Sequence, residues 1–285
     1  MGKVLLEEQS LIDIANSIRN KTGSSETMTP NEMATNIDNV ESASDYFGTA
    51  DFSANASTSV GRWFTVIDKI PAIDTTGVTD FRSFYSGFRG KTIDLSKTVT
   101  SGATGMYYMF AYNTSLETLI NLSFDTSKVT TMEGMFYSNK IPELILTCFD
   151  TASLTNINHM FNMCSNLKTL DMSSFDMSKV NSVTQTWKNC NALTNLKFGY
   201  NLGKGYTEKT VNYSSYTVDL SLPLGRLTHE SLMSVINGLY DLNLTYDVAN
   251  GGTLYTQSLR LSTLDKAKLN EEEIAIATNK GWVIS

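Results

Sequence analysis

Apolar residues recur along the middle of the chain in two alternating rhythms. Val129, Met132, Met135 and Phe136 fall at i, i+3, i+6 and i+7, which predicts a short helix with one apolar stripe. In residues 167–173 Leu170 and Met172 alternate with polar residues at period two. Ile93/Leu95, Leu144/Leu146 and Leu196/Phe198 repeat the pattern, and this predicts short strands with one buried face. An Asp-x-Ser step, Asp-x-Ala in the copy at Asp150, precedes the stripe in the three clearest copies, and its side chains can bond nearby backbone amides, which suits a turn that caps the helix start. The clearest copies of the block run over residues 124–136 and 149–161, and a third runs from Phe175 and Asp176 through Val180 and Val183 to Trp187. Looser copies are anchored on Tyr85, with Ile73, Asp74, Val78, Phe81 and Phe84, and on Phe110, with Ala103, Met106 and Met109. Anchors at 85, 110, 136, 161 and 187 stand 25 or 26 residues apart. A period of that size predicts a solenoid. One unit cannot bury both of its apolar stripes, but stacked units can, with a parallel strand ladder on one face and helices on the other.

The rhythm stops at both ends, which divides the chain into residues 1–44, 45–198 and 199–285. In the first segment Leu11, Ile14, Ala15 and Ile18 have helical spacing and Gly23 closes the run. Thr29, Pro30 and Glu32 then open a second helix continued by Met33 and Ile37. The pair reads either as a cap over the first solenoid turn or as a separate attachment module. In the last segment Tyr200, Tyr206, Tyr213 and Tyr216 crowd a stretch without an anchor, and residues 211–222 read as a strand or hairpin. Thr228 caps a helix striped by Leu232, Val235, Ile236 and Leu239; Leu259 and Leu261 mark a strand. Asn270 to Glu273 resembles a capping box, and Trp282 to Ile284 supplies a last strand.

The repeat resembles the BspA-like leucine-rich repeat, whose units read L-x-x-L-x-L-x-x-F-D-x-S-x-V-x-x-M-x-x-M-F-x-x-C-x-x-L, from about Ile73 to Leu196. The copy at Tyr85 departs from it, with Phe84-Tyr85 for the Met-Phe pair. The resemblance implies an α/β right-handed solenoid that binds through its surface faces, found in bacterial surface adhesins and in phage tail proteins, with no catalysis. Residues 10–23 with 29–33 also look like a short helical module at the start of tail-associated proteins from phages of Gram-positive bacteria. Residues 269–282 resemble the C-termini of such proteins. The implied setting is a virion tail or baseplate, with residues 1–44 docking to other tail proteins or joining copies. A homo-oligomer follows, a trimer being common among such proteins, although no sustained heptad demands one.

Composition narrows the chemistry. A hydrophobic fraction of 41% supports a core, and a net charge of −7 with no basic stripe argues against nucleic acid. No apolar run approaches the ~18 residues of a membrane span, so no membrane insertion is expected. The two histidines, His159 and His229, stand in no zinc-like spacing, and Gly199, Gly203 and Gly205 make no phosphate loop. No enzyme activity, cofactor or metal is therefore expected. Among the three cysteines, Cys164 and Cys190 each follow their anchor by three residues. They read as stacked free thiols, with a disulfide between adjacent turns as the alternative.

Binding is then expected on a face. The outward side chains of the ladder would be Thr92, Asp94 and Ser96, then Glu143, Ile145 and Thr147, then Thr169, Asp171 and Ser173, then Asn195 and Lys197. These rows of hydroxyls and carboxylates either bind a polysaccharide or are a plainly solvated sheet face. Tyr200, Tyr206, Tyr213 and Tyr216 form the second candidate, their alternative being rings packed on the solenoid end. The expected partner is a cell-surface glycan or protein of a host. Alternatives are a bacterial adhesin built on the same repeat and a purely structural tail component.

Overall fold

A computed structural model of the chain describes residues 68–70, 72–73, 75, 78–207, 215–220, 225–244 and 256–285. The helical module expected over 1–44, together with Asp74 and Tyr213, lies outside the described residues, and Tyr206 and Tyr216 are described in their backbone only. Each coil contributes one short strand: β1 Lys69–Ile70, β2 Thr92–Asp94, β3 Thr118–Ile120, β4 Glu143–Ile145, β5 Thr169–Asp171 and β6 Asn195–Lys197. They pair in parallel, with Lys69, Thr92 and Thr118 in one register row and Glu143, Thr169 and Asn195 in another. Ile93, Leu144, Leu170 and Leu196, at the strand centres, are buried, as the period-two pattern requires.

The ladder divides into two three-stranded sheets between β3 and β4, and the sequence supplies two reasons. Elsewhere the residue before the strand donates to the coil behind it: Glu117 N to Lys91 O at 2.8 Å, Lys168 N to Pro142 O at 2.8 Å, Thr194 N to Lys168 O at 3.0 Å. In the β4 coil that place is held by Pro142, which has no N–H to give. At the other end of β3, Asn121 takes φ 57° and turns the chain out of the ladder. Across the coil the bridges Asp80–Gly105–Thr131–Asn156–Ser182 remain continuous.

The helices expected opposite the strands are not formed; that face is a series of tight turns. Met135, Tyr137 and Asn139 donate three residues back, to Met132, Gly134 and Phe136, at 3.1, 2.8 and 3.1 Å. The alternate amides of Met132, Gly134, Phe136 and Ser138 donate instead to Asn156, Asn158, Met160 and Asn162 of the next coil, at 2.9, 2.8, 2.9 and 2.8 Å. An α-helix would keep all of these amides inside the coil, whereas stacked coils can share half of them sideways. The inward residues of such a turn series recur as a helical stripe does, so the spacing of Val129, Met132, Met135 and Phe136 does not separate the two.

The Asp-x-Ser steps are turns but not helix caps. Asp125 Oδ1 accepts from Ser127 N at 3.1 Å and Ser127 Oγ at 2.7 Å, and Asp150 and Asp176 accept from the amide two residues on. The residue between is buried. Thr126 and Thr151 donate their hydroxyls to Asp150 O and Asp176 O of the next coil, at 2.7 and 3.2 Å.

The anchors stack inside. Tyr85, Phe110, Phe136 and Phe161 form one column with ring centroids 5.4, 5.4 and 5.9 Å apart and planes within 10°. Phe124, Phe149 and Phe175 form a second at 6.1 and 6.2 Å. Each such pair adds about 0.5–1.5 kcal/mol beyond area burial. Cys164 and Cys190 are free thiols at a position filled by Asn139 one coil earlier. All three side chains donate to the coil behind: Asn139 Nδ2 to Phe110 O at 2.9 Å, Cys164 Sγ to Phe136 O and Cys190 Sγ to Phe161 O at 3.0 Å. Burial pushes the Cys164 thiol up to about 12 and holds Cys190 well above its ordinary value, so both keep the proton they donate.

The last segment closes the solenoid with α1 Lys204–Thr207, β7 Ser215–Leu220, α2 His229–Gly238, β8 Thr256–Leu261, α3 Thr263–Lys266, α4 Glu271–Asn279 and β9 Trp282–Ile284. The hairpin alternative for residues 211–222 gives way to a parallel strand, because β7 pairs with β8 and β8 with β9, all parallel. Bridges Asp176–Tyr200 and Leu202–Leu239 carry the pairing past residue 198. The open edge of β6 is covered by α2. Ser231 Oγ and Ser234 Oγ accept from Leu196 N and Phe198 N, each at 2.8 Å, and Ser231 Oγ donates to Thr194 O at 3.1 Å. Thr228 caps α2, and Asn270 with Glu273 forms the capping box of α4. Lys280 Nζ donates to Ile236 O, Asn237 O and Leu239 O, at 3.2, 2.9 and 3.0 Å, and so satisfies the C-terminal carbonyls of α2.

Candidate functional site

Two faces of the solenoid carry side chains that the core does not use. On the strand face Ser96, Glu143, Ile145, Thr147, Ser173, Asn195 and Lys197 are exposed, and Thr92, Asp94 and Thr169 are half-buried. Asp171 departs from the expected outward row: it is buried. Its Oδ1 accepts from Ser173 N and Oγ at 3.1 and 2.7 Å, and its Oδ2 lies 3.5 Å from Lys197 Nζ. Burial opposes its ionisation, and the Ser173 bonds with Lys197 outweigh it, holding the carboxyl below its ordinary value. Asp94 is held in the same way, with Ser96 N at 3.1 Å and Lys69 Nζ at 3.2 Å. Both aspartates of these rows are thus engaged in turn and cross-strand bonds.

The turn face is different in kind. Two residues before and two after each anchor the backbone takes positive φ: Ser83 and Gly87, Tyr108 and Tyr112, Gly134 and Ser138, His159 and Met163, Gln185 and Asn189. These are third positions of tight turns, where φ above zero favours Gly or Asn. Side chains with a Cβ cost roughly 1–2 kcal/mol there, yet two tyrosines, a histidine and a methionine occupy the places. Tyr112 is 48% exposed and Met163 44% exposed, while Tyr108, Tyr137 and His159 are half-buried.

These side chains meet across three coils. The Tyr137 ring stands 5.9 Å from Tyr108, 5.3 Å from Tyr112 and 6.4 Å from His159, with interplanar angles of 60°, 64° and 73°. Its hydroxyl donates to Met163 Sδ at 3.3 Å. Asn162 Nδ2 lies 3.1 Å from His159 Nδ1 and 3.3 Å from Gln185 Oε1. The Tyr108 ring lies over Gly134, where an added Cβ would come within 2.4 Å of it. Burial, followed by the nearby Glu133 carboxylate, raises the Tyr108 phenol above its ordinary value. Arg82 places its guanidinium 5.0 Å from the neighbouring Tyr107 ring.

Of the other candidates, Tyr200 is 49% exposed at the end of the last coil. His229 is exposed and its Nε2 lies 2.7 Å from Glu273 Oε1, joining the starts of α2 and α4. Tyr108, Tyr112, Tyr137 and Met163 lie outside the constant part of the repeat. The signal that marks Tyr108, Tyr112 and Met163 is the alternation of Gly, Ser or Asn with bulky residues at two repeat positions, each a left-handed site, whereas Tyr137 carries no such mark.

Searches among curated proteins and among solved structures find no match. A family profile matches residues 54–143 and again 120–214, together more than half of the 285 residues. With the parallel ladders, this match fits a BspA-like repeat protein. The chain belongs to the family described as "Mycoplasma protein of unknown function, DUF285".

Proposed function

We propose that this protein is a non-enzymatic recognition protein, a right-handed BspA-like solenoid carried on a phage tail or baseplate, that binds a glycan or protein on the surface of a Gram-positive host. One observation carries the reading. Along the coils the inward anchors stay aromatic, Tyr85, Phe110, Phe136, Phe161 and Trp187, while the outward positions beside them change from Ser83 to Tyr108, Gly134, His159 and Gln185. A constant interior with outer side chains that change coil by coil, set where the backbone prefers glycine, suits a scaffold that displays a surface. In this reading residues 1–44 are the helical module that attaches the chain to other tail proteins or joins copies, and the protein acts in the virion or outside the cell.

The test is binding of the fluorescently labelled full chain to Gram-positive cells, with solution mass measured with and without residues 1–44. Saturable binding to susceptible cells and a fall in mass to the monomer on truncation are expected. An ordered place in the tail with no binding to any susceptible cell would leave a purely structural component. The family description names a cellular bacterium, which favours a second reading, a bacterial surface adhesin. Labelling of intact bacterial surfaces rather than virions by an antibody to the chain selects it.

A further inference from the structure

Tyr108, Tyr112, Tyr137, His159 and Met163 make a trough that crosses three successive coils on the turn face. We propose that it is a subsite for a neutral, linear carbohydrate chain lying along the stacking axis, with the rings as platforms for sugar C–H faces and Asn162, Gln185 and the tyrosine hydroxyls as hydrogen-bond partners. The proposal rests on the surface-recognition reading above and names its ligand and place.

Three features point to a sugar. In the core the aromatic column closes on itself, with planes within 10°. On the turn face the rings meet at 60° to 73°, as walls rather than a stack, and Tyr112 and Met163 remain close to half exposed. Tyrosine joins an apolar face to a hydroxyl, which matches a pyranose with its apolar C–H side and its ring of hydroxyls. Coils follow one another at the parallel-strand spacing of about 4.8 Å, close to the length of one pyranose unit in an extended chain.

The polar groups are set in advance. Asn162 is 5% exposed, its Nδ2 is held by His159 and Gln185, and its Oδ1 has no protein partner. A buried amide oxygen without a partner is rare, and this one belongs to a side chain tied to His159 and Gln185 on the turn face. Tyr137 is oriented through its hydroxyl bond to Met163. A bound peptide strand would need open backbone groups to pair with. Here the amides of Tyr112, Gly134 and Ser138 already donate to Tyr137 O, Asn158 O and Asn162 O, each at 2.8 Å.

The test uses the full chain against deproteinised cell-wall polysaccharide from Gram-positive cells, and against the same cells before and after protease treatment. The variants are Tyr112→Ser and Tyr112→Ser/Met163→Ser, since Ser138 fills the equivalent position at φ 54°, with Tyr137→Phe removing one hydroxyl and Thr147→Ala/Asn195→Ala altering the strand face. At least tenfold weaker polysaccharide binding by the turn-face variants, with an unchanged melting curve and unaffected strand-face variants, is expected. Full binding by the turn-face variants, or loss of wild-type binding when cells are treated with protease, overturns the trough as a sugar site and leaves surface recognition standing. Failure of the wild-type chain to bind untreated cells takes the recognition reading down with it.

Discussion

Gly134→Ala tests whether the tyrosine trough is built into the backbone. Gly134 sits at φ 61°, and a Cβ there would lie 2.4 Å from Tyr108 Cε1 and 2.7 Å from Cδ1 and Cζ. Two effects follow. Alanine in the left-handed region costs roughly 1–2 kcal/mol, and forcing the Tyr108 ring away from a packed contact costs a further 1–3 kcal/mol, about the range for overpacking. Tyr108→Ser removes the second effect and leaves the first, and serine is tolerated because Ser83 holds the equivalent position at φ 55°. Gly134→Ala should therefore destabilise by about 2–5 kcal/mol in the native background and by about 1–2 kcal/mol beside Tyr108→Ser, a coupling of about 1–3 kcal/mol. The assay is urea unfolding of the four chains of this cycle, followed by circular dichroism, with equal m-values required for the comparison. Additivity within about 0.5 kcal/mol refutes the reasoning, because the ring would then not rest on Gly134.

Cys164→Asn should hold stability within about 1 kcal/mol, since Asn139 makes the same bond one coil earlier. Cys164→Val removes one of the two donors to the Phe136 carbonyl, the Asn139 amide being the other, and should lose about 0.5–1.5 kcal/mol more than Cys164→Asn; thermal melts of both variants distinguish the outcomes, and equal losses would sink the argument. Ser231→Ala/Ser234→Ala strips the acceptors from the buried Leu196 amide of β6 and the part-buried Phe198 amide just beyond it and should cost about 1–3 kcal/mol for each group. Faster hydrogen exchange at Leu196 and Phe198 is the readout that separates this from general loosening. Acidification should destabilise the fold. Glu273 is held below its ordinary value by the Asn270 amide, which outweighs desolvation and is helped by His229, and Asp94, Asp125 and Asp171 are also lowered. For carboxyls depressed in the folded state the contribution is complete above their unfolded values, near 4, and is lost as pH falls through the folded ones. A urea midpoint that stays flat or rises from pH 6 to pH 3 contradicts this.

The architecture was legible because the repeat is a core pattern. Phe124, Phe136, Phe149 and Phe161 are inside because stacking leaves no other place for them, and period alone says so. Helices and turns are not separable in the sequence here, because Met132, Met135 and Phe136 point inward at the same spacing whether the amides between them bond within the coil or to the next coil, and hydrogen-bond direction leaves no mark on hydrophobic pattern. The break at Pro142 was readable from proline chemistry once the strand register was known, but not before. Asp, Ser and Thr on the strand rows have the chemistry of ligand-binding groups, and sequence alone does not show that Asp94 and Asp171 also tie the chain to itself. Tyr108, Tyr112 and Tyr137 stand where the repeat varies, so its constant block does not point to them.

The alternating amide scheme has a consequence for how such a molecule changes over generations. Met132, Gly134, Phe136 and Ser138 bind the next coil through backbone atoms alone, so the joint between coils is indifferent to the side chains outside it. Copying one unit of 25 or 26 residues adds a coil that can repeat these backbone bonds, and replacing an outer side chain leaves them in place. Length and surface can then drift separately, and a lineage pressed to meet a new partner can redraw the outer side of the coil without refounding the fold.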